Sequence, residues 1–187
     1  MSLLTVYADG DPPAALRELC DPEAIAAELA KIDVDYRVWP VDAGIQAGAA
    51  PEAVLEAYAK PIARLREEYG FGSVDVVSLD PDNPAREQAR QKFLQEHTHA
   101  DFEMRFFVAG GGQFYIRSGG QVYVLLCMAG DLISVPAGTT HWFDMSERPS
   151  FVALRFFTRE DGWVAEFTGD RIAERYPAMQ PLGEARG

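Results

Sequence analysis

All three histidines of this 187-residue chain fall in two short stretches. His97 and His99 stand in Glu96-His97-Thr98-His99-Ala100-Asp101-Phe102-Glu103, and His141 stands in Pro136-Ala137-Gly138-Thr139-Thr140-His141-Trp142. His97, His99 and Glu103 share sequence parity, and on an extended strand residues of equal parity project from one face. The spacing therefore predicts two imidazoles and a carboxylate on one wall. His141 must reach them from another strand. A closed β-barrel allows this, because strands distant in sequence face each other across its interior. These four side chains are the predicted ligands of one metal ion. Neutral nitrogens plus a hard oxygen, without thiolate, suit Fe(II), Ni(II), Mn(II), Cu(II) or Zn(II). On a six-coordinate ion they leave adjacent positions open for a bidentate substrate.

The texture of the chain agrees with a barrel. From residue 96 onward the apolar pattern has a period near two, and turn signals recur at intervals of roughly 8–12 residues, as in small all-β folds. Strands are predicted at 105–108, 113–117, 121–127, 132–135, 141–144 and 151–157. Gly110-Gly111-Gly112, Ser118-Gly119-Gly120, Ala129-Gly130-Asp131, Ala137-Gly138 and Arg148-Pro149 separate them. Upstream, strands are predicted at 3–7, 36–39 and 74–79. A helix over 22–32 starts with Asp21 as cap and Pro22 in its first turn. A longer helix runs from Pro51 to a stop at Gly70, with a kink expected near residue 60 because Pro61 lies inside it. Residues 43–50 read as a loop, 85–94 as a short helix, and a last short helix ends at Tyr176. The expected fold class is mainly β with flanking α-helices, a jelly-roll β-barrel. One domain is expected over 1–187: a helix-containing part (1–94) wrapping the barrel, a metal-binding core (95–176) and a loose tail (177–187).

The formal net charge is -12. Such an excess of carboxylates repels a phosphate backbone or an anionic membrane surface, so neither nucleic acid nor membrane is an expected partner. No basic n-region and apolar h-region open the chain, and no apolar run reaches membrane-span length. A cytoplasmic monomer is expected. Cys20 and Cys127 lack metal-motif or redox-pair spacing and are read as free, buried or half-buried thiols.

The motifs carry a family resemblance. His97-x-His99-x-x-x-Glu103 with Gly110 downstream is similar to the first cupin motif, and Gly130, Pro136, Gly138 and His141 are similar to the second. Gln91 replaces the leading glycine of the first motif, and Met145 the closing asparagine of the second. The flanks resemble the acireductone dioxygenase family more specifically. They include Lys92-Phe93, Met104-Arg105-Phe106-Phe107-Val108, Trp142-Phe143-Asp144, Arg155-Phe156-Phe157, and Gly162-Trp163-Val164-Ala165-Glu166-Phe167. Upstream, Ala57-Tyr58, Gly70 and Asp75-Val76-Val77 fit the same pattern. Phe102 stands where the family carries an acid, and by parity it points away from the ligand wall.

The resemblance implies a methionine-salvage enzyme acting on a small acireductone, 1,2-dihydroxy-3-keto-5-methylthiopentene, with O2. It implies Fe(II) or Ni(II), one ion per chain. The iron form would give formate and 4-methylthio-2-oxobutanoate, and the nickel form methylthiopropionate, formate and CO. An enediolate is an anion, so Arg105 and Arg155 are the expected catalytic cations, with Arg105 facing the cavity by parity. Phe93, Phe107, Trp142, Phe143 and Trp163 are candidate pocket walls, and each is also a candidate core residue. Glu96 and Asp101 are candidates to orient a histidine from behind. Asp131 and Asp144 read as turn or strand-end residues. Another cupin metal enzyme and a non-catalytic metal-binding cupin are the alternatives.

Overall fold

The fold is arranged around one long strand that is paired along both edges. In the computed structural model, which describes residues 1–41, 44–159 and 161–182, eleven strands join one sheet. In chain order the first are β1 (Leu3–Ala8), β2 (Ala14–Leu19), β3 (Asp35–Val38) and β4 (Ser73–Leu79). Then come β5 (His97–His99), β6 (Glu103–Ser118), β7 (Gln121–Met128) and β8 (Asp131–Val135). Last are β9 (Thr140–Asp144), β10 (Ser150–Phe157) and β11 (Ala165–Phe167). The helices are α1 (Pro22–Leu29), α2 (Pro51–Ala57), α3 (Ala59–Tyr69) and α4 (Arg86–Phe93). The mainly-β, helix-flanked class is as expected.

The N-terminal half of β6 pairs with β10 and β8, and its C-terminal half pairs with β7 and β9. The strand thereby belongs to two layers. One layer runs β4-β10-β6-β8-β3, and the other runs β2-β1-β7-β6-β9-β5-β11. The sequence reading placed a break at Gly110-Gly111-Gly112. The ladder instead continues through it, with a bulge between the Phe107 and Ala109 pairings to β10. Inward parity flips across this bend. Phe107 faces the core before it, and Phe114 and Ile116 face the core after it. A bulge that bends a strand is how one strand serves two sheets.

Gly110 is required at the bend. Its φ is +59°, and a Cβ there would lie 1.7 Å from the Ser150 carbonyl oxygen. Gly110→Ala is therefore expected to cost at least about 2 kcal/mol, at the upper end of overpacking effects. A thermal melt that leaves the midpoint unchanged would contradict the bend's role.

Three apolar clusters sort the side chains by face. Leu4, Val6, Phe107, Phe114, Leu125, Phe143 and Phe151 fill the barrel interior. Met104, Phe106, Val152, Leu154 and Phe156 point outward and are covered by Val54, Tyr58, Ile62 and Leu65 of the α2–α3 region. Tyr115, Val122 and Trp142 form a third cluster under Ile172 and Tyr176. The kink expected near residue 60 falls at Tyr58, between α2 and α3, and Pro61 occupies the first turn of α3, where proline costs little. Asp21 caps α1 as expected, accepting from the Ala24 amide at 2.9 Å.

β2 and β11 were absent from the sequence reading, and the final short helix is a single 3₁₀ turn over Ile172–Arg175. The described part of the tail makes two hydrogen bonds to the barrel. The Tyr115 hydroxyl donates to the Pro177 carbonyl, and the Met179 amide donates to buried Asp144. Residues 183–187 and Ala43 of the predicted loop lie outside the described residues. No described helix is long and apolar enough to cross a membrane.

Cys127 is buried, whereas Cys20 is exposed, contrary to expectation, on the residue that follows edge strand β2. Burial, with Asp131 nearby, holds the Cys127 thiol well above its ordinary range. A thiol reagent at pH 8 should therefore titrate one cysteine per folded chain and the second only in denaturant. Two rapid equivalents without denaturant would contradict this packing.

Candidate metal centre

β5 and β9 lie side by side, with His97 directly opposite His141. Local geometry does the rest. His97 and His99 project from the same face of β5, and their rings meet the His141 ring at centroid distances of 4.5 Å and 5.3 Å. One ring nitrogen from each of His97, His99 and His141 lies within 4.8 Å of the others.

Backbone carbonyls set the orientation of all three rings. His97 Nδ1 contacts Gln95 O at 2.7 Å, His99 Nδ1 contacts Val164 O at 3.0 Å, and His141 Nδ1 contacts Thr139 O at 2.8 Å. A carbonyl can only accept, so each Nδ1 carries the proton and each Nε2 offers a lone pair inward. Glu96 and Asp101 are engaged elsewhere. Glu96 accepts from the Thr168 hydroxyl and pairs with Arg117. Asp101 accepts from the Thr158 hydroxyl and from the Phe102, Thr158 and Arg159 amides.

Glu103 closes the cluster from the start of β6. Its Oε2 lies 3.0 Å from His99 Nε2 and 3.6 Å from His141 Nε2. Two such lone-pair atoms at this separation repel unless a cation, a proton or a metal ion, lies between them. Among the described residues, buried His141 Nε2 has no hydrogen-bond partner. Both observations fit a cation held among these four side chains. A set of imidazole nitrogens and a carboxylate oxygen suits a borderline divalent metal.

The electrostatics are those of a buried, tightly coupled group. Burial, reinforced by His141, pushes His97 down to about 4. Burial opposes charge on His99 as well, but the adjoining Glu103 carboxylate outweighs it and raises that pKa. Burial also opposes ionisation of Glu103, but Arg105 and the two imidazoles hold it well below the usual carboxylate range. Arg105 Nη2 donates to Glu103 Oε1. The Arg105 guanidinium lies over Phe143 at 4.5 Å and Phe114 at 4.7 Å, with Phe93 at 5.9 Å. Its Nε is buried without a hydrogen-bond partner among the described residues. Arg155 reaches the same cavity from β10, held by Asp75 of β4.

A model of the ARD/ARD′ family matches residues 4–165. The chain belongs to this family. An acireductone dioxygenase from Pseudomonas paraeruginosa is 52% identical over 180 residues, 96% of this chain and 99% of that one. One from Aquifex aeolicus is 48% identical over 182 residues, covering 97% and 98%. The solved acireductone dioxygenase from Bacillus anthracis, described with a cadmium ion in its active centre, superposes with a TM-score of 0.75. It is 25% identical and covers 89% of this chain and 98% of that one. The cupin-type barrel expected from the motifs is thus the fold of this ARD-family chain.

Within the ARD-family barrel, the cavity beside the histidines has a volume of about 190 Å³. Phe93, Phe143 and Trp163 line it, as considered from the sequence, and so do Lys92 and Phe167, which the sequence reading omitted. Two candidates are corrected. Trp142 points to the opposite face, stacked on Tyr115 at 4.9 Å, because it adjoins inward-facing His141. Phe107 faces inward but lies deeper, among Phe114, Phe143 and Phe151, and does not line the cavity. Phe102 packs on Phe71 and Tyr69, away from the ligands. Asp131 and Asp144 are structural: Asp131 accepts from the Tyr36 hydroxyl, and Asp144 is paired with Arg90.

Proposed function

We propose that this chain is a metal-dependent acireductone dioxygenase. It cleaves 1,2-dihydroxy-3-keto-5-methylthiopentene with O2 in methionine salvage. One observation carries the reading: three inward Nε2 atoms and the Glu103 carboxylate converge at the wall of a small cavity that Arg105 and Arg155 also line. The names of the full-length relatives support it.

His97, His99, Glu103 and His141 hold one Fe(II) or Ni(II) ion per chain. When bound, such an ion would supply Lewis acidity to an oxygen-donor substrate. The protein's side chains do the rest. Arg105, already bound to Glu103, carries positive charge into an enclosed site where developing negative charge is poorly screened. Its aromatic stack fixes the guanidinium in place. Phe93, Phe143, Trp163 and Phe167 offer apolar surface to the methylthio tail and keep bulk water from the reacting carbons. The ligand set is the same for either metal, so the identity of the ion selects the products. The 187 residues act as one cupin unit, a monomer of the cytoplasm.

The test loads the metal-free protein with Fe(II) or Ni(II) and follows O2 uptake with the acireductone, with product analysis. Uptake is expected with both metals and CO with nickel alone. No uptake by either loaded form would defeat the reading.

A further inference from the structure

We infer that Asp75, which does not line the cavity, is a positioning residue that holds the Arg155 guanidinium at the cavity wall beside Arg105. The inference rests on the reading above, in which Arg155 meets the anionic substrate.

The register places these residues in one row. Asp75 of β4 is directly opposite Arg155 of β10, and Arg155 is directly opposite Arg105 of β6. Direct cross-strand partners share a face, and like charges in such pairs repel. Arg105 is buried, and the Arg155 side chain is 17% exposed, so water screens their repulsion poorly. Arg105 is tethered by Glu103, but among the described residues Arg155 has no such tether on the cavity side. Asp75 supplies one from the far side. It accepts from Arg155 Nε at 2.9 Å and from Nη2 at 2.6 Å. This fork takes one edge of the guanidinium and fixes its plane. Nη1 is the amino group left for a ligand.

Asp75 is suited to act only through Arg155. β4 is an outer strand paired to β10 alone, and the Asp75 side chain is 47% exposed. Its loss empties no core volume. Without it, the repulsion from Arg105 turns Arg155 toward solvent, and the substrate loses a contact while the metal ligands stay in place.

The test is a double-mutant cycle on the metal-loaded full chain. Asp75→Asn should lower kcat/KM by about tenfold, carried mainly by KM, a coupling of ordinary size for residues in contact. In an Arg155→Met background the same change should have less than about a twofold effect, as expected for residues acting as one unit. Equal losses in both backgrounds, or no loss in either, would overturn the inference. A second readout is independent of turnover. In the Zn(II)-loaded chain, the Arg155 Nε–H resonance should exchange slowly with solvent and should exchange fast in Asp75→Asn. Unchanged exchange would overturn the inference as well. A wild-type protein without turnover would defeat the functional reading alone, and the exchange measurement would still decide the role of Asp75.

Discussion

Replacing His99 with alanine is expected to strip the metal from the protein and to lower turnover by about 1,000-fold or more, roughly 4 kcal/mol of barrier. His99 is the imidazole nearest the carboxylate, 3.0 Å from Glu103 Oε2. Its removal leaves two imidazoles and a carboxylate that Arg105 already engages. The substitution also frees the Val164 carbonyl, which His99 Nδ1 binds at 3.0 Å. That carbonyl belongs to the segment carrying Trp163 and Ala165 into the cavity lining. Metal content per folded chain, measured by atomic emission beside a thermal melt, separates loss of the ion from loss of the fold. Full metal content with full turnover would show that the site is misplaced.

Arg105→Met has the second largest expected effect, and it acts differently with and without metal. Glu103 and Arg105 are both almost fully buried and bonded to each other. Removing one partner of a buried pair costs about 3–5 kcal/mol, because the other charge is left uncompensated. In the metal-free protein that cost should appear as a lower denaturation midpoint. In the loaded protein the ion balances Glu103, so much of the stability should return and the metal should remain. Turnover should not return, and a loss of about 100-fold in kcat/KM is expected, near 3 kcal/mol. Denaturation of both forms, followed by steady-state kinetics, checks the pattern. Equal destabilisation with and without metal would break the link between Arg105 and the ligand carboxylate.

Much of this site was legible in the residues because strand parity is a local rule. It put His97 and His99 on one face without any knowledge of the fold. Glu103 reached the same place by a different route. β5 ends at His99, and Glu103 opens β6 after an intervening bend, so the parity argument spanned two strands. Parity states which face a side chain takes and not how deep it lies. Phe107 and Phe143 both face inward, yet only Phe143 reaches the cavity. Trp142 adjoins inward-facing His141 on β9, and strand alternation sends it to the opposite face.

Other features depend on partners distant in the chain. β2 consists of Ala14, Ala15, Leu16, Arg17, Glu18 and Leu19, mostly helix formers by local propensity. It is a strand because it pairs with β1. Phe167 meets His97 through the pairing of β11 with β5, and nothing in its own surroundings signals a cavity. The carbonyls that orient the three rings are backbone groups, common to every residue type. They cannot be read from side-chain identity. Lys92 did carry a signal: it precedes Phe93 on α4, one turn before the first histidine strand.

We propose that His97, His99, Glu103 and His141 hold one divalent ion and leave part of its coordination shell to substrate. Metal-edge X-ray absorption on the nickel-loaded chain, with and without acireductone under argon, measures this most directly. The predicted spectrum shows an all-nitrogen and oxygen shell with the multiple scattering of three imidazoles, and its non-imidazole oxygens change when substrate is added. Sulfur in the shell, fewer than three imidazoles, or a shell untouched by substrate would contradict it.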